Sequence, residues 1–242
     1  MTKRFNRVHA ASHRASRVFA IGDIHGCARA LDALVSALPI GPLDIVVPLG
    51  DVVDRGPNSR EVIEILMSLQ SRCDLRPVLG NHDEMMLDVL DGAPPKRWLK
   101  YGGTATLDSY GFCGSLDVVP SEHVEFLRSF SDIVELEDHF FVHGNYDPLV
   151  PLAEQSRRML RWTSLVDHLP MPHQSGKAAV VGHTANKKGK ILRQPKLTCI
   201  DTGCYGGGCL TALEVYSGQI WQANFLGKVT APESYPQSQA GA

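Results

Sequence analysis

Val18-Phe19-Ala20-Ile21-Gly22-Asp23-Ile24-His25-Gly26 decides the fold, because a short apolar run stops abruptly at a glycine and a polar cluster. From Ala28 to Leu38, Ala30, Leu31, Leu34, Val35 and Leu38 then recur at helical spacing. That is a β-to-α step, and it is repeated. Leu43 to Leu49 leads into Gly50-Asp51 and a helix carrying Val62, Ile63, Ile65, Leu66 and Leu69. Leu75 to Leu79 leads into Gly80-Asn81 and a helix from Glu84 to about Leu90. Alternating strands and helices predict an α/β fold. Each polar cluster falls just beyond a strand, where open α/β sheets bind their ligands, so three strands deliver side chains to one crevice.

Downstream, His139 to Val142 precedes His143, and Ala178 to Val181 precedes Gly182-His183. Leu197 to Asp201, Leu210 to Tyr216 and Gln219 to Ala223 read as further strands, so the second half is richer in β structure. No linker or internal repeat divides the chain. The expected organisation is a basic, disordered tail over 1–17, a single domain over 18–226, and a polar C-terminal tail over 227–242. Residues 92–130 interrupt the rhythm with Pro94-Pro95, Trp98, Tyr101-Gly102-Gly103 and Gly111, then a helix from Glu122 to Ser129. They are expected to form a cap-like insertion beside the crevice, with Trp98 and Tyr101 either stacking on substrate or filling a small satellite core.

Five polar blocks punctuate this framework: Gly22-Asp23-Ile24-His25-Gly26, Gly50-Asp51-Val52-Val53-Asp54-Arg55-Gly56, Gly80-Asn81-His82-Asp83, His143-Gly144 and Gly182-His183-Thr184. Taken singly, an Asp-x-His at a turn is usually a surface turn, and a histidine after a strand is usually a satisfied polar residue. Five in succession, each after a strand, point to a metal site. Their oxygen and imidazole donors suit manganese, iron or zinc rather than thiophilic ions. Asp23 and His25 stand two apart, so on an extended strand end both side chains face one metal. Asp51 has two carboxylate oxygens and can bridge to a second metal, whose shell Asn81, His143 and His183 complete. Two such ions suit in-line displacement at phosphorus.

A leaving group then needs a proton donor, and His82 is the candidate, with Asp54 orienting its imidazole. Arg55 offers a planar fork to two phosphate oxygens, against the alternative of a surface ion pair closing the loop before Gly56-Pro57.

The order of these blocks resembles that of the metallophosphoesterase superfamily, and most of all its phosphoprotein phosphatases in their bacterial and bacteriophage form. The resemblance covers residues from about 18 to 216. It implies a calcineurin-like β-sandwich flanked by helices. It also implies that Asp23, His25 and Asp51 hold one metal, that Asp51, Asn81, His143 and His183 hold the other, and that both ions are most often manganese, with iron or zinc as alternatives. The activity implied is hydrolysis of phosphoserine and phosphothreonine monoesters, with phosphotyrosine a further substrate, by direct attack of a hydroxide held between the metals. The substrate partner would be a phosphorylated protein or peptide.

Two departures stand out. Relatives usually place a second phosphate-binding arginine just after a Leu-Trp segment, whereas Leu160-Arg161-Trp162-Thr163-Ser164 puts it before the tryptophan, making Arg161 the candidate. Some relatives carry arginine directly before Gly-Asn-His, where this chain has Leu79.

Two alternatives accompany this reading. Arg55-Gly56-Pro57-Asn58-Ser59 also resembles the diadenosine tetraphosphatases, although those enzymes tend to lack the carboxylate that stands here at Asp54. A non-catalytic scaffold that holds a phosphorylated partner is the third reading, and its signature, a missing ligand, is absent from the sequence.

Bulk properties narrow the class. The 242 residues are 43% hydrophobic, and no apolar run approaches the roughly 20 residues of a membrane span. Lys3, Arg4, Arg7, Arg14 and Arg17 gather in an acid-free amino terminus, so the net charge of −2 leaves the remainder acidic. That terminus lacks the apolar stretch of a secretory signal. No stacking-rich basic groove accompanies it, which argues against a nucleic-acid partner. The six cysteines stand singly, as free thiols of a cytoplasmic protein do.

Overall fold

Strand β1 (Val18–Ile21) sends alternate side chains to two different cores. Val18 and Ala20 enter an apolar layer between two sheets, while Phe19 and Ile21 enter a larger cluster beneath the helices. The computed structural model describes residues 17–186 and 188–234. The expected tail over 1–17 therefore lies outside the described residues apart from Arg17, as does the chain beyond 234.

The first sheet is built from β1, β2 (Ile45–Pro48), β3 (Asp74–Leu75), β9 (Cys209–Glu214), β10 (Gln219–Asn224) and β11 (Val229–Ser234), in the order β11-β10-β9-β1-β2-β3. Strands β1, β2 and β3 are parallel, and β9, β10 and β11 add on antiparallel. The second sheet has the order β4-β5-β6-β8-β7, from β4 (Val134–Glu135), β5 (His139–Val142), β6 (Ala178–Val181), β7 (Leu192–Gln194) and β8 (Leu197–Cys199). Val47, Leu49, Phe141, Val180, Ile200 and Leu213 fill the layer between the sheets, which makes a β-sandwich. Phe140, Val142, Ala179 and Val181 face the other way, onto Tyr146, Leu160 and Leu165.

Helix α1 (Ala28–Ala37) covers β9, β10 and β11 on the outer face of the first sheet, and α2 (Ser59–Leu69) packs beside α1. Their apolar stripes bury Leu31, Leu34, Ile63 and Leu66 completely, each worth roughly 1.5–3 kcal/mol. The architecture, a sandwich flanked by helices, is the one the sequence predicts.

Three boundaries differ from expectation. Strand β3 stops at Leu75 because Pro48 of β2 has no N–H to return to Arg76, although Arg76 and Val78 still donate to Val46 and Pro48 at 2.9 Å, and Val78 is left as an isolated bridge to Ser131. Helix α3 (Asn81–Leu90) begins three residues early, so Asn81 and His82 belong to its first turn. The polar tail expected from 227 is corrected. After Gly227 turns the chain, β11 pairs with β10, and as an edge strand it tolerates the proline and polar residues that disguise it in sequence.

The 92–130 insertion comprises α4 (Lys96–Trp98), a wide turn over Leu99–Gly103, α5 (Thr104–Ser109) and α6 (Ser121–Arg128). It packs on α2 and α3, and Trp98, Leu107, Tyr110, Phe126 and Leu127 join the principal core, so it belongs to the domain body.

Candidate metal centre

The polar blocks converge because β1 and β2 in one sheet, and β5, β6 and β8 in the other, end at the same edge of the sandwich. Two contacts tie the sheets together there. The His143 Nδ1–H donates to the Leu49 carbonyl at 2.7 Å, and the His183 backbone N–H donates to the Asp23 carboxylate at 3.0 Å. His25, Asp51, Asp54, Arg55 and His183 all take positive φ, between 45° and 71°. Lys196 is the only other non-glycine residue to do so among the described residues. Each such residue costs of order 1–3 kcal/mol and persists where the surroundings over-determine it.

Asp83 supplies much of that restraint. Its carboxylate accepts the backbone N–H groups of Asp51 at 2.8 Å, Val52 at 3.0 Å and Gly80 at 3.0 Å, tying the loop after β2 to the start of α3. Gly80 is required at this join, since a Cβ there would lie 2.2 Å from the Asp51 nitrogen.

Two groups of metal-capable atoms share Asp51: His25, Asp51 and His82, and Asp51, His143 and His183, each with atoms within 4.8 Å of one another. The Asp51 oxygens face opposite ways, Oδ2 3.4 Å from His25 Nε2 and Oδ1 3.4 Å from His143 Nε2. Ring orientation suits metal binding. His25 and His143 each donate Nδ1–H to a backbone carbonyl, Val53 and Leu49, which turns Nε2 toward the centre as the atom that would meet a metal. His143 Nε2 lies 3.0 Å from Asn81 Oδ1 and 3.1 Å from His183 Nδ1, so the donors of the second group, Asn81 included, point at one place. The donor set fits two divalent ions.

Asp23 falls outside both groups. Its carboxylate caps the His183 backbone instead, and burial together with neighbouring Asp201 pushes its pKa up. Burial holds His25 down near 3 and His183 near 4. For His143 burial works in the same direction, but the Asp51 and Asp23 carboxylates outweigh it and raise the value to about 10.

His82 faces the first group and a second set of partners. Its Nδ1–H donates to Asp54 Oδ2 at 2.7 Å. The same carboxylate receives Trp98 Nε1–H at 2.9 Å and Thr106 Oγ1–H at 2.8 Å. Burial raises the Asp54 carboxyl, and these three donors oppose that rise, as befits an ionised acceptor. Arg55 donates to His25 Nε2 at 3.1 Å and His82 Nε2 at 3.0 Å, with its guanidinium 4.7 Å from the Tyr205 ring centroid.

Arg161, expected to bind phosphate, is placed elsewhere. Its guanidinium is buried and committed to two carboxylates, Nε and Nη2 to Asp132 and Nη1 to Glu84 at 2.6 Å. Arginine before the tryptophan points back into α3, while Trp162 Nε1–H takes the other Glu84 oxygen. Arg161→Met is therefore expected to lower stability by about 1–3 kcal/mol, because the two carboxylates, about a fifth exposed, lose their partner. Inhibition by inorganic phosphate should stay as in the wild type. Denaturant unfolding and a phosphate titration check both outcomes.

Sequence reasoning missed Asp83, Trp98 and Thr106 as supports, and Asp201 as a buried neighbour of Asp23. Asp201 follows β8 just as the other blocks follow their strands, and that was its available signal.

Comparisons place this geometry among known proteins. A family model described as calcineurin-like phosphoesterase matches residues 16–200. Serine/threonine-protein phosphatase 2 of Escherichia coli is 31% identical over 101 residues, 41% of this chain and 44% of that protein. The matched segment thus spans less than half of that relative's length. The asymmetrical bis(5'-nucleosyl)-tetraphosphatase of Bacillus velezensis is 27% identical over 222 residues, 79% of this chain and 86% of that protein. A solved structure provisionally assigned as a diadenosine tetraphosphatase superposes with TM-score 0.67 at 22% identity, covering 88% of this chain and 96% of that one. No helix among the described residues is long and apolar enough to cross a membrane.

Proposed function

The chain belongs to the calcineurin-like phosphoesterase family, and from that premise we propose that it is a metal-dependent phosphoprotein phosphatase hydrolysing phosphoserine and phosphothreonine monoesters, with phosphotyrosine a further substrate. The observation that carries this choice is the holding of Asp54 by Trp98 and Thr106 against His82. A serine alkoxide is a poor leaving group and departs only with a proton. A nucleotide phosphate leaves far more readily, so a buried carboxylate–imidazole pair is better matched to the monoester.

Asp51, His25, Asn81, His143 and His183 would hold two ions, with Asp23 at the margin, and manganese, iron or zinc all suit these donors. Such ions, when bound, supply positive charge and an activated water for in-line displacement. Arg55 would turn its two donors from the imidazole nitrogens onto phosphate oxygens, which frees His82 Nε2 to take up a proton from solvent, as an imidazolium beside Asp54, and pass it to the ester oxygen. Asp54 keeps the other ring nitrogen protonated and the ring in place.

The dinucleotide polyphosphate reading has support of its own, because the tetraphosphatase of Bacillus velezensis aligns with most of this chain. The phosphatase proposal is tested with chelator-stripped protein and a phosphoserine peptide. Phosphate release should appear when manganese is added. No release with manganese, iron or zinc would contradict it and leave the dinucleotide and scaffold readings standing.

A further inference from the structure

We propose that Tyr101 forms the wall of a leaving-group subsite that favours monoesters of phenols, the class to which phosphotyrosine belongs. The inference rests on His82 facing the leaving group. The Tyr101 ring stands edge-on to the His82 ring, with centroids 6.5 Å apart and planes at 88°, and the residue is 45% exposed. It is held there by its neighbour. Gly102, at φ 115°, accepts the Arg55 backbone N–H at 3.3 Å, and a Cβ on it would lie 2.8 Å from that nitrogen.

The other aromatic side chains of the site are already engaged. Trp98 is 1% exposed and spends its N–H on Asp54, and the Tyr205 ring carries the Arg55 guanidinium on its face and packs edge-on to His25 at 5.0 Å. Beside Tyr101 stands Lys100, an exposed side chain whose Nζ lies 5.9 Å from the ring centroid, near the limit of a cation–π contact.

An ester oxygen within hydrogen-bond reach of His82, about 2.6–3.2 Å, brings a phenol ring bonded directly to it within the aromatic-pair range of Tyr101, about 4.5–7 Å. A nucleobase is separated from its scissile phosphate by a ribose and further phosphates, so it does not meet this wall.

The test compares phenyl phosphate with glycerol 2-phosphate, manganese present, in the wild type, Tyr101→Phe and Tyr101→Ala. The ratio of kcat/KM for phenyl over glyceryl ester should fall roughly 2- to 10-fold in Tyr101→Ala, the range aromatic pairs support, chiefly through KM. Tyr101→Phe should keep the wild-type ratio. An unchanged ratio in Tyr101→Ala, or an equal loss on both esters, overturns the inference. Wild-type protein that cleaves these small esters but no phosphoserine or phosphothreonine peptide would sink the proposed function instead, and the ratio would still decide this one.

Discussion

Replacing Asp51 with asparagine is expected to abolish turnover and lower the metal content of the protein. Asp51 is the one residue common to both groups of metal-capable atoms, with one oxygen toward His25 and the other toward His143. An amide of the same shape keeps a single acceptor and no charge, so two cations would lose the anion between them. Removing a group that merely orients a metal ligand costs about 10–100-fold, and loss of the shared ligand should exceed that. Elemental analysis and p-nitrophenyl phosphate turnover check the outcome. Two retained ions with ordinary turnover would show that Asp51 does not bridge.

The second large effect concerns His82, which converges with His25 and Asp51 and so has the geometry of a ligand as well as of a proton donor. In His82→Asn both ions should remain bound, while hydrolysis of phosphoserine slows by about 10²–10⁴-fold, the usual worth of a general acid. For p-nitrophenyl phosphate, whose leaving group departs as a stable anion, the loss should be much smaller. Trp98→Phe removes one donor from Asp54 and should shift the two substrates apart in the same direction but less far. Equal losses on both substrates at full metal occupancy would rule out proton donation, and a lost ion would make His82 a ligand.

Much of this site was legible because its chemistry obeys two local rules. Apolar runs of four or five residues that end in glycine mark strands, and donors placed one to three residues beyond them must meet at one sheet edge. His25, Asp51, Asn81 and His183 were readable that way, and His143 from its place directly after its strand, whereas Asp23, read by the same rule, caps the His183 backbone. What was not readable depends on contacts between distant segments. Trp98 and Thr106 reach Asp54 across 44 and 52 residues, and Arg161 finds Glu84 across 77. No spacing rule connects such pairs. Strand β11 was hidden for another reason, since an edge strand needs neither alternation nor a free N–H at every position.

An imidazole held by Asp54 serves, on the proposed function, a monoester with a poor leaving group. The most direct measurement is a side-by-side determination of kcat/KM on a phosphoserine or phosphothreonine peptide and on diadenosine tetraphosphate, with one manganese-loaded preparation. The higher value is expected on the phosphopeptide, and a higher value on the dinucleotide would contradict the proposed function.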